Sequence, residues 1–442
     1  MQLRVPDPSL LLLVGASGCG KSTFARAHFR DTEVVSSDEC RALVSDDPAD
    51  QRASTGAFAV LHAIVEQRLA YRRLTVVDAT NLRPSARAPL LALARRHPLP
   101  VAAIVFGVAA EECVRRAGAR PERPVDADVV RRHAALVPDA PSALVAEGVA
   151  RVWTLHEGVL DAGVSVVRAP LPADRRDERG PFDIVGDVHG CMAELLALLD
   201  ALGYLPDDAA GRRHPAGRRI VFVGDLADRG PDVAGVLELA MRMVAAGTAL
   251  CVPGNHDDKL LRKLRGRPVV VAHGLQQSLD SIAARPSGFA RRVAAFLDAL
   301  PSHLVLDGGR LVVAHAGMRE SLQGRESRRV RDFALYGDTT GEVDELGLPV
   351  RRDWASEYHG EAMVVYGHTP VAHPLLVNRT MNVDTGCVFG GRLTALRHPE
   401  MALVSVPALR RYAESRRPFP PPPGTAEAPS DGAIRVPAGE AT

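Results

Sequence analysis

Runs of apolar residues alternate with longer amphipathic segments through the first part of the chain. Between residue 9 and about residue 165, the strand-like runs SLLLLVG, LTVVDAT and VAAIVFG are separated by helical segments such as FAVLHAIVEQRLAYR. Alternation of this kind is typical of a parallel sheet covered by helices. The pattern therefore predicts an N-terminal α/β domain over residues 1–167.

A second series of strand-like runs begins at Phe182 and ends near Val406, which predicts a second α/β domain over residues 182–407. The stretch between the two domains, residues 168–181, is rich in proline and charge and predicts a linker. Residues 408–442 become rich in proline and offer little apolar surface to bury, so we expect a disordered tail there.

A glycine-rich loop follows the first strand-like run. The segment GASGCGKST, from Gly15 to Thr23, matches the pattern G-x-x-x-x-G-K-[ST] between a predicted strand and a predicted helix. Its glycines let backbone N–H groups turn towards a phosphate, and its lysine reaches the β- and γ-phosphates. Asp78, at the end of LTVVD, is placed to hold Mg²⁺ or its water shell. The candidate residues for ATP and Mg²⁺ are Gly15, Gly18, Gly20, Lys21, Ser22, Thr23 and Asp78.

Other residues must distinguish a kinase from the many other proteins with such a loop. Asp38 lies 17 residues after Lys21 and could accept a proton from an attacking hydroxyl. The alternative is that Asp38 caps the helix that begins at ECRALV. Arg41, one helical turn later, could hold a phosphate of the acceptor, or could be an ordinary surface arginine.

The segment ECVRRAGARPERPV carries Arg116, Arg120 and Arg123 at spacings that share one helical face. Pro121 interrupts that helix, so we interpret the segment as an arginine lid that closes over the transferring phosphate. The alternative is a charged helix in solvent.

Five polar blocks in the second domain each begin with, or directly follow, an apolar run. They are GDVHG (186–190), GDLADRG (224–230), GNHDD (254–258), VVAHAG (312–317) and YGHTP (366–370). Their polar groups therefore sit where strands end, and several strand ends can converge on one place.

This mixture of residue types suits a pair of divalent metals, which need a shared carboxylate together with imidazole and carbonyl ligands. The candidate ligands are Asp187 and His189 for one metal, Asp225 as the bridge, and Asn255, His315 and His368 for the other. His256 is a candidate acid for the leaving oxygen, and Asp228 is a candidate for orienting it. Arg229 is a candidate bidentate clamp for the substrate phosphate.

These five blocks resemble those of calcineurin-like metallophosphoesterases. More narrowly, the chain resembles the bacterial polynucleotide kinase-phosphatase family from about residue 9 to 407, through SSDECR, DATN, the arginine lid, GNHDDKLLRKLRG, YGDTTGEVDELGLPVRRDWA and NVDTGCVFGGRLTAL. The resemblance implies a P-loop kinase with a parallel sheet, followed by an α/β metallophosphoesterase sandwich.

The same resemblance implies transfer of the γ-phosphate of ATP to a 5′-hydroxyl of RNA or DNA. It also implies removal of 2′,3′-cyclic, 2′- or 3′-phosphate ends, with Mn²⁺ as the expected metal. By this resemblance Asp38 is the kinase base, Arg41 and Arg123 contact phosphate, and Asp384 belongs to the phosphatase pocket.

One departure from that family concerns end sealing. Family members continue into an adenylyltransferase domain with a KxDG motif, and none of Lys21, Lys259 and Lys263 lies in such a motif. We therefore expect no sealing by this chain. A separate ligase or an RNA methyltransferase remains open as a partner, and so does a homodimer.

Composition narrows the class of protein. No apolar run approaches the roughly 20 residues that cross a bilayer, so we expect a soluble protein without a membrane partner. The six cysteines contain no CxxC pair, which argues against a disulfide framework or a zinc cluster and favours a reducing, cytoplasmic location. Two alternatives to end healing stay open. One is a serine/threonine-type protein phosphatase or dinucleoside polyphosphate hydrolase with a regulatory ATP-binding domain, and the other is a binding-only scaffold.

Overall fold

A computed structural model of the chain describes residues 1–119, 125–345 and 347–415. The chain divides into two compact units, the first comprising Met1–Leu171 with Arg325–Ser327, and the second comprising Pro172–Gly324 with Arg328–Thr442. Within the described residues, no helix is both long enough and apolar enough to span a bilayer. Arg120 and Arg123 of the predicted lid lie outside the described residues, as do residues 416–442 of the predicted tail.

The first unit is built on strands and helices that alternate along the chain. Its strands are β1 (Gln2–Asp7), β2 (Leu10–Val14), β3 (Val34–Ser36), β4 (Thr75–Asp78), β5 (Val101–Gly107), β6 (Arg151–His156) and β7 (Ser165–Pro170). Its helices are α1 (Lys21–His28), α2 (Ser37–Ser45), α3 (Ser54–Ala70), α4 (Pro84–Arg96), α5 (Ala110–Gly118), α6 (Ala127–Ala134), α7 (Ala140–Ala146) and α8 (Glu157–Asp161), with 3₁₀ turns at Asp31–Glu33 and Gln51–Ala53.

The main sheet of this unit has the order β3-β4-β2-β5-β6, and its neighbouring strands run parallel. Every residue of β2 is buried because helices cover both faces of the sheet. Leu10 and Leu12 pack on one face with α3, and Leu11 and Leu13 pack on the other with Phe24 of α1. The predicted N-terminal parallel α/β sheet is confirmed.

The predicted linker begins too early. Residues 168–170 belong to β7, which pairs in parallel with β1. Arg168, one of the charged residues in the predicted linker, donates to Glu33 at 2.5 Å. Farther along, within the second unit, the N–H of Arg175 donates to the carbonyl of Val305, and the N–H of Val305 donates to the carbonyl of Ala173. Pairing with distant backbone thus outweighs a composition that favours a loop.

The second unit is built on two five-stranded sheets with helices outside them, and its described residues also form two short two-stranded sheets. Its strands are β8 (Phe182–Val185), β9 (Leu205–Asp207), β10 (Gly211–Arg213), β11 (Arg219–Phe222), β12 (Ala249–Cys251), β13 (His303–Leu306), β14 (Leu311–Ala314), β15 (Thr339–Val343), β16 (Pro349–Arg351), β17 (Met363–Tyr366), β18 (Leu375–Val377), β19 (Thr380–Asn382), β20 (Arg392–His398) and β21 (Ala402–Pro407). Its helices are α9 (Met192–Leu202), α10 (Val233–Ala245), α11 (Asn255–Leu264), α12 (Leu275–Ala283), α13 (Phe289–Ala299) and α14 (Arg328–Tyr336), with 3₁₀ turns at Asp307–Gly309, Glu320–Leu322 and Cys387–Phe389.

The two five-stranded sheets have the orders β12-β11-β8-β20-β21 and β13-β14-β17-β19-β18. Residues from both sheets share one apolar cluster, which includes Ile184 and Val221 from the first sheet and Val313 and Val365 from the second. The outer face of the first sheet shares one apolar cluster with residues of α9, α10, α11, α12 and α13. The predicted α/β metallophosphoesterase sandwich is confirmed.

The predicted disordered tail also begins too early. Ala408 is buried, and the backbone N–H groups of Tyr412 and Ala413 both donate to the carbonyl of Val388. The hydroxyl of Tyr412 donates to Glu194 at 2.8 Å. One aromatic residue and several specific hydrogen bonds therefore order residues 408–415 on the second unit.

Candidate functional site

The glycine-rich loop of the first unit joins β2 to α1. The Nζ atom of Lys21 donates to the carbonyl oxygens of Gly15 at 2.9 Å and Ala16 at 2.8 Å, so the ammonium group lies inside the loop. Gly18 has a φ of +84°, and a Cβ there would lie 2.2 Å from the carbonyl oxygen of Cys113. Only glycine allows this close approach.

A cavity of about 560 Å³ opens in front of this loop. Lys21, Ser22, Asp38, Arg41 and Asp78 all line it, although they are dispersed over a long stretch of sequence. Asp78 reaches the cavity from the end of β4, next to β2 in the sheet. Most of the predicted nucleotide and acceptor residues thus share one cavity, together with Gly18 and Gly20. Thr23 is exposed and does not line it.

Asp38 is the second residue of α2, and its own position excludes the capping alternative. The N-cap of this helix is Ser36, whose side chain accepts from the backbone N–H of Asp38. The carboxylate of Asp38 instead pairs with Nη1 of Arg41 at 2.5 Å. Arg41 is buried rather than a surface residue, and the same Nη1 donates to the carbonyl of Pro48. The Nε atom of Arg41 is buried and has no hydrogen-bond partner within the described ranges.

Of the three arginines in the predicted lid, only Arg116 belongs to the described residues. Arg116 lies on α5, where its Nε donates to Glu112 at 2.5 Å. It does not line the cavity in front of the loop. Its partners Arg120 and Arg123 lie outside the described residues.

In the second unit, all six predicted metal ligands follow the ends of strands. Asp187 and His189 follow β8, Asp225 follows β11, Asn255 follows β12, His315 follows β14 and His368 follows β17. The strands β8, β11 and β12 are parallel in one sheet, and β14 and β17 are parallel in the other. Because carboxyl ends of parallel strands share an edge, the ligands meet at one end of the sandwich.

The distances show how closely these side chains gather. The Nε2 atoms of His189 and His315 each lie 3.5 Å from Oδ2 of Asp225. The Nε2 atom of His315 also lies 3.0 Å from Oδ1 of Asn255 and 3.0 Å from Nδ1 of His368. A carboxylate oxygen of Asp187 and one of Asp225 lie within 4.8 Å of each other and of a ring nitrogen of His315.

Backbone carbonyl groups orient two of the imidazoles. Nδ1 of His189 lies 2.7 Å from the carbonyl of Ala227, and Nδ1 of His315 lies 3.1 Å from that of Val223. A carbonyl can only accept, so the proton of each ring is on Nδ1 and Nε2 faces Asp225 with its lone pair. Both rings are therefore prepared to bind a cation.

The backbone of the site is held in unfavourable conformations. Residues with positive φ include His189, Asp225, Asp228, Arg229 and His368. Such strain persists only where the surrounding structure enforces it, and it is concentrated at functional sites. Glycine is required at two close approaches, since a Cβ on Gly254 would lie 2.0 Å from Oδ1 of Asp225 and one on Gly367 would lie 2.1 Å from Oδ1 of Asp187.

The charges of the site fit divalent cations. Burial raises the pKa of Asp225 to about 7 and that of Asp384 to about 7, and it raises the pKa of Asp187 well above its usual value. Burial also lowers the pKa of His315 to about 3, so this imidazole is neutral near pH 7. Clustered carboxylates are costly to bury without compensating positive charge. Oxygen and neutral imidazole ligands around one shared carboxylate suit a pair of divalent metals.

The groups predicted to act on the substrate adjoin the metal ligands. Nδ1 of His256 lies 2.6 Å from Oδ2 of Asp228, whose other oxygen accepts from Ser278 at 2.5 Å. Arg229 donates from Nη1 to His189 and from Nη2 to Nε2 of His256. Its guanidinium also lies over the ring of Phe389, 5.1 Å from the centroid. Both guanidinium ends thus lie against the imidazoles of the candidate ligand and the candidate acid.

Sequence reasoning missed two residues of this site. Arg351 donates to Nε2 of His368 at 2.7 Å and lines the same 450 Å³ cavity as Arg229, His256 and Asp384. Ser278 fixes Asp228 from a different helix, α12. Arg351 lies in the segment that carries the resemblance to the kinase-phosphatase family, and only that resemblance could have pointed to it. No feature of the sequence pointed to Ser278.

Comparisons with known proteins agree with both units. Residues 10–138 match the family described as AAA domain, and residues 180–372 match the family described as calcineurin-like phosphoesterase. Proteins named bis(5'-nucleosyl)-tetraphosphatase PrpE [asymmetrical] are similar to the second part of the chain. The protein of Anoxybacillus flavithermus is 47% identical over 243 residues, which cover 54% of this chain and 99% of that protein.

Two further relatives carry the same name. The Geobacillus thermodenitrificans protein is 50% identical over 231 residues, or 51% of this chain and 94% of that protein. The Bacillus subtilis protein is 46% identical over 239 residues, or 53% of this chain and 98% of that protein. With nearly whole relatives aligned to its second unit and the metal-ligand arrangement described above, the chain belongs to the calcineurin-like phosphoesterase family.

Proposed function

We propose that the chain is a bifunctional enzyme that heals the ends of RNA or DNA. The first unit would transfer the γ-phosphate of ATP to a 5′-hydroxyl, and the second would remove phosphate from a 2′- or 3′-end. The observation that carries this proposal is the shared cavity of the first unit, where Asp38 and Arg41 face the same space as Lys21 and Asp78.

A nucleotide-binding regulatory domain needs the glycine-rich loop and its lysine but no group for an acceptor. Asp38 is a carboxylate at the cavity wall, so it can accept the proton of an attacking hydroxyl. Arg41 holds that carboxylate and lines the same cavity, which suits contact with a phosphate of the acceptor strand. These two residues favour a kinase over a nucleotide sensor.

In the second unit, metals held by the six ligands would neutralise the phosphate and lower the pKa of an attacking water. Arg229 would exchange its two imidazole partners for two phosphate oxygens in a bidentate contact. That exchange frees the lone pair of Nε2 on His256, which can then take up a proton from solvent and pass it to the leaving oxygen. Asp228 keeps the ring of His256 in place through its contact with Nδ1.

A second candidate is a dinucleoside polyphosphate hydrolase whose first unit binds ATP for regulation. It is favoured by the names of relatives that are 46% to 50% identical to this chain over 231 to 243 residues. In that case the phosphoesterase would act on a pair of nucleosides joined by phosphates, and Asp38 would have no acceptor to serve.

The decisive experiment uses the full chain, γ-labelled ATP and matched RNA and DNA oligonucleotides with 5′-hydroxyl ends. We expect label on the oligonucleotide, and its loss in Asp38→Asn and Lys21→Ala with phosphatase activity retained. Asp46→Asn is the matched control, since this exposed carboxylate ends the same helix at a positive φ that asparagine tolerates. Absence of label on every end tested would overturn the kinase assignment.

The phosphoesterase is tested separately by comparing kcat/KM for oligonucleotides with 2′,3′-cyclic or 3′-phosphate ends against diadenosine tetraphosphate, in Mg²⁺, Mn²⁺ and Ni²⁺. End healing requires the oligonucleotides to be the better substrates. Preference for the dinucleotide, together with no transfer from ATP, would establish the second candidate. If the chain heals ends, end sealing would belong to a separate ligase, with which an RNA methyltransferase could act.

A further inference from the structure

Two cysteines and a glutamate converge behind the phosphoesterase centre. Cys191 is the N-cap of α9, Glu194 lies in the first turn of that helix, and Cys387 begins a 3₁₀ turn far along the chain. One ligand atom from each, the two Sγ atoms and a carboxylate oxygen, lies within 4.8 Å of the others. All three residues are at most 1% exposed. The catalytic ligand set does not include them.

The carboxylate of Glu194 is only half satisfied. Its Oε1 accepts from the backbone N–H of Leu409 at 3.0 Å and from the hydroxyl of Tyr412 at 2.8 Å. Its Oε2 is buried and has no hydrogen-bond partner in the described part of the chain. A buried, unpaired carboxylate oxygen is costly, because it has lost its water without replacement. It therefore calls for a positively charged partner at this place.

We propose that Cys191, Glu194 and Cys387 form a second metal site, which takes one thiophilic divalent cation of the Zn²⁺ class. Two sulfur ligands select soft or borderline ions, in contrast to the oxygen and imidazole ligands of the catalytic centre. Glu194 supplies the third ligand through its unpartnered oxygen. Binding replaces the two thiol protons, which leave to solvent, and no oxidation is involved.

The position of this site defines its role. Cys191 lies two residues after His189 and donates from Sγ to the carbonyl of His189 at 3.8 Å. Cys387 lies three residues after Asp384, which lines the catalytic cavity. A cation here ties together the two loops that carry His189 and Asp384, and through Glu194 it also supports residues 408–415. Its function is to position catalytic side chains, not to contact the substrate.

Cobalt titration of the full chain tests the proposal, because none of the six candidate ligands of the catalytic centre is a cysteine. The protein is freed of metal under reducing conditions and titrated with Co²⁺, and sulfur-to-cobalt charge-transfer absorption is followed in the near ultraviolet. We expect the band to account for one equivalent of Co²⁺ per chain, bound in addition to the Co²⁺ ions of the catalytic centre. Zn²⁺ should then displace it.

Three variants assign the band to these residues. Cys387→Ser should abolish it and Glu194→Gln should weaken Co²⁺ binding, while Cys251→Ser, which removes another buried thiol of the second unit, should leave it intact. The unaltered chain decides the matter even if a variant fails to fold. Absence of the band in the reduced chain would overturn the proposal. A disulfide between Cys191 and Cys387 would also overturn it, if that disulfide is present in protein purified without reductant and the protein then fails to bind Zn²⁺.

Discussion

The Nδ1 atom of His256 lies 2.6 Å from Oδ2 of Asp228, and both side chains are buried. This contact fixes the ring plane of the candidate acid. We expect Asp228→Asn to lower kcat of the phosphoesterase about 10- to 100-fold, with KM little changed, because loss of a supporting carboxylate has effects of that size. Asp208→Asn, an exposed carboxylate in the same unit, is the control.

Two substrates with different leaving groups show whether Asp228 acts through His256. An alkyl leaving group needs a proton, whereas p-nitrophenolate departs readily without one. The loss in Asp228→Asn should therefore be larger for a nucleoside 3′-phosphate than for p-nitrophenyl phosphate. Equal losses for the two substrates would show that Asp228 does not act through His256.

Metal affinity should depend on pH through the carboxylates. Burial raises the pKa of Asp225 to about 7, whereas burial lowers that of His315 to about 3. The imidazole is thus neutral above about pH 5 and ready to bind, while the carboxylate carries a proton below about pH 7 that a metal must displace. We expect the affinity for Mn²⁺ to fall as pH is lowered from 7.5 to 5.5, by about tenfold per pH unit for each displaced proton. Calorimetric titration at several pH values measures this, and a constant affinity would contradict it.

Arg351 should contribute to phosphate binding alongside Arg229. Its guanidinium donates to His368 and faces the catalytic cavity. We expect Arg351→Ala to weaken inhibition by inorganic phosphate about 10- to 100-fold, since a hydrogen bond to a charged group contributes about 1.5–3 kcal/mol. Arg351→Lys should recover only part of this, because an ammonium lacks the planar fork. Arg352 is the exposed neighbour of Arg351, so Arg352→Ala is the control and should bind phosphate normally.

The residues that sequence patterns predicted well are those fixed by local structure. His189 and Asp225 follow apolar runs directly, and Lys21 follows a glycine loop at the start of a helix, so strand ends and turn chemistry were enough to group them. Arg351 and Ser278 come from elements whose approach to the site depends on the packing of the whole sandwich. No spacing rule identifies them.

Long-range pairing also explains the remaining differences. Cys191 and Cys387 are 196 positions apart, so a search for CxxC pairs could not bring them together. Composition favoured a linker at Arg168 and disorder at Tyr412, but each side chain has a specific partner elsewhere in its own unit. Composition describes average behaviour, and a few such contacts are sufficient to override it.

In the first unit, Arg41 should affect the acceptor more than ATP. It pairs with Asp38 in the cavity and is buried, unlike Arg52, whose side chain is 93% exposed. We expect Arg41→Gln to raise KM for a 5′-hydroxyl oligonucleotide at least tenfold, a change of about 1.4 kcal/mol, while KM for ATP changes little. Arg52→Gln should behave as the unaltered chain. A rise confined to the KM for ATP would assign Arg41 to the nucleotide instead.

The stability of the second unit should depend on the buried carboxylate of Asp183, which lies on β8 just before the metal ligands. It is fully buried and accepts from Arg218 at 2.8 Å and from the hydroxyl of Tyr204 at 2.9 Å. Asp183→Ala leaves a buried guanidinium without its main partner, so we expect a loss of about 3–5 kcal/mol in the free energy of unfolding. Glu400→Ala removes a half-exposed partner of the same arginine and should cost at most about 1 kcal/mol.

The two tryptophans allow this loss to be measured in the intact chain. Trp153 lies in the first unit and Trp354 is buried in the second, so in a Trp153→Phe background the fluorescence of Trp354 follows the second unit alone. Urea titration of that background with and without Asp183→Ala then gives the difference directly, even if the two units unfold separately. A loss no greater than that of Glu400→Ala would mean that water reaches Arg218 once the carboxylate is removed, and that β8 does not depend on this ion pair.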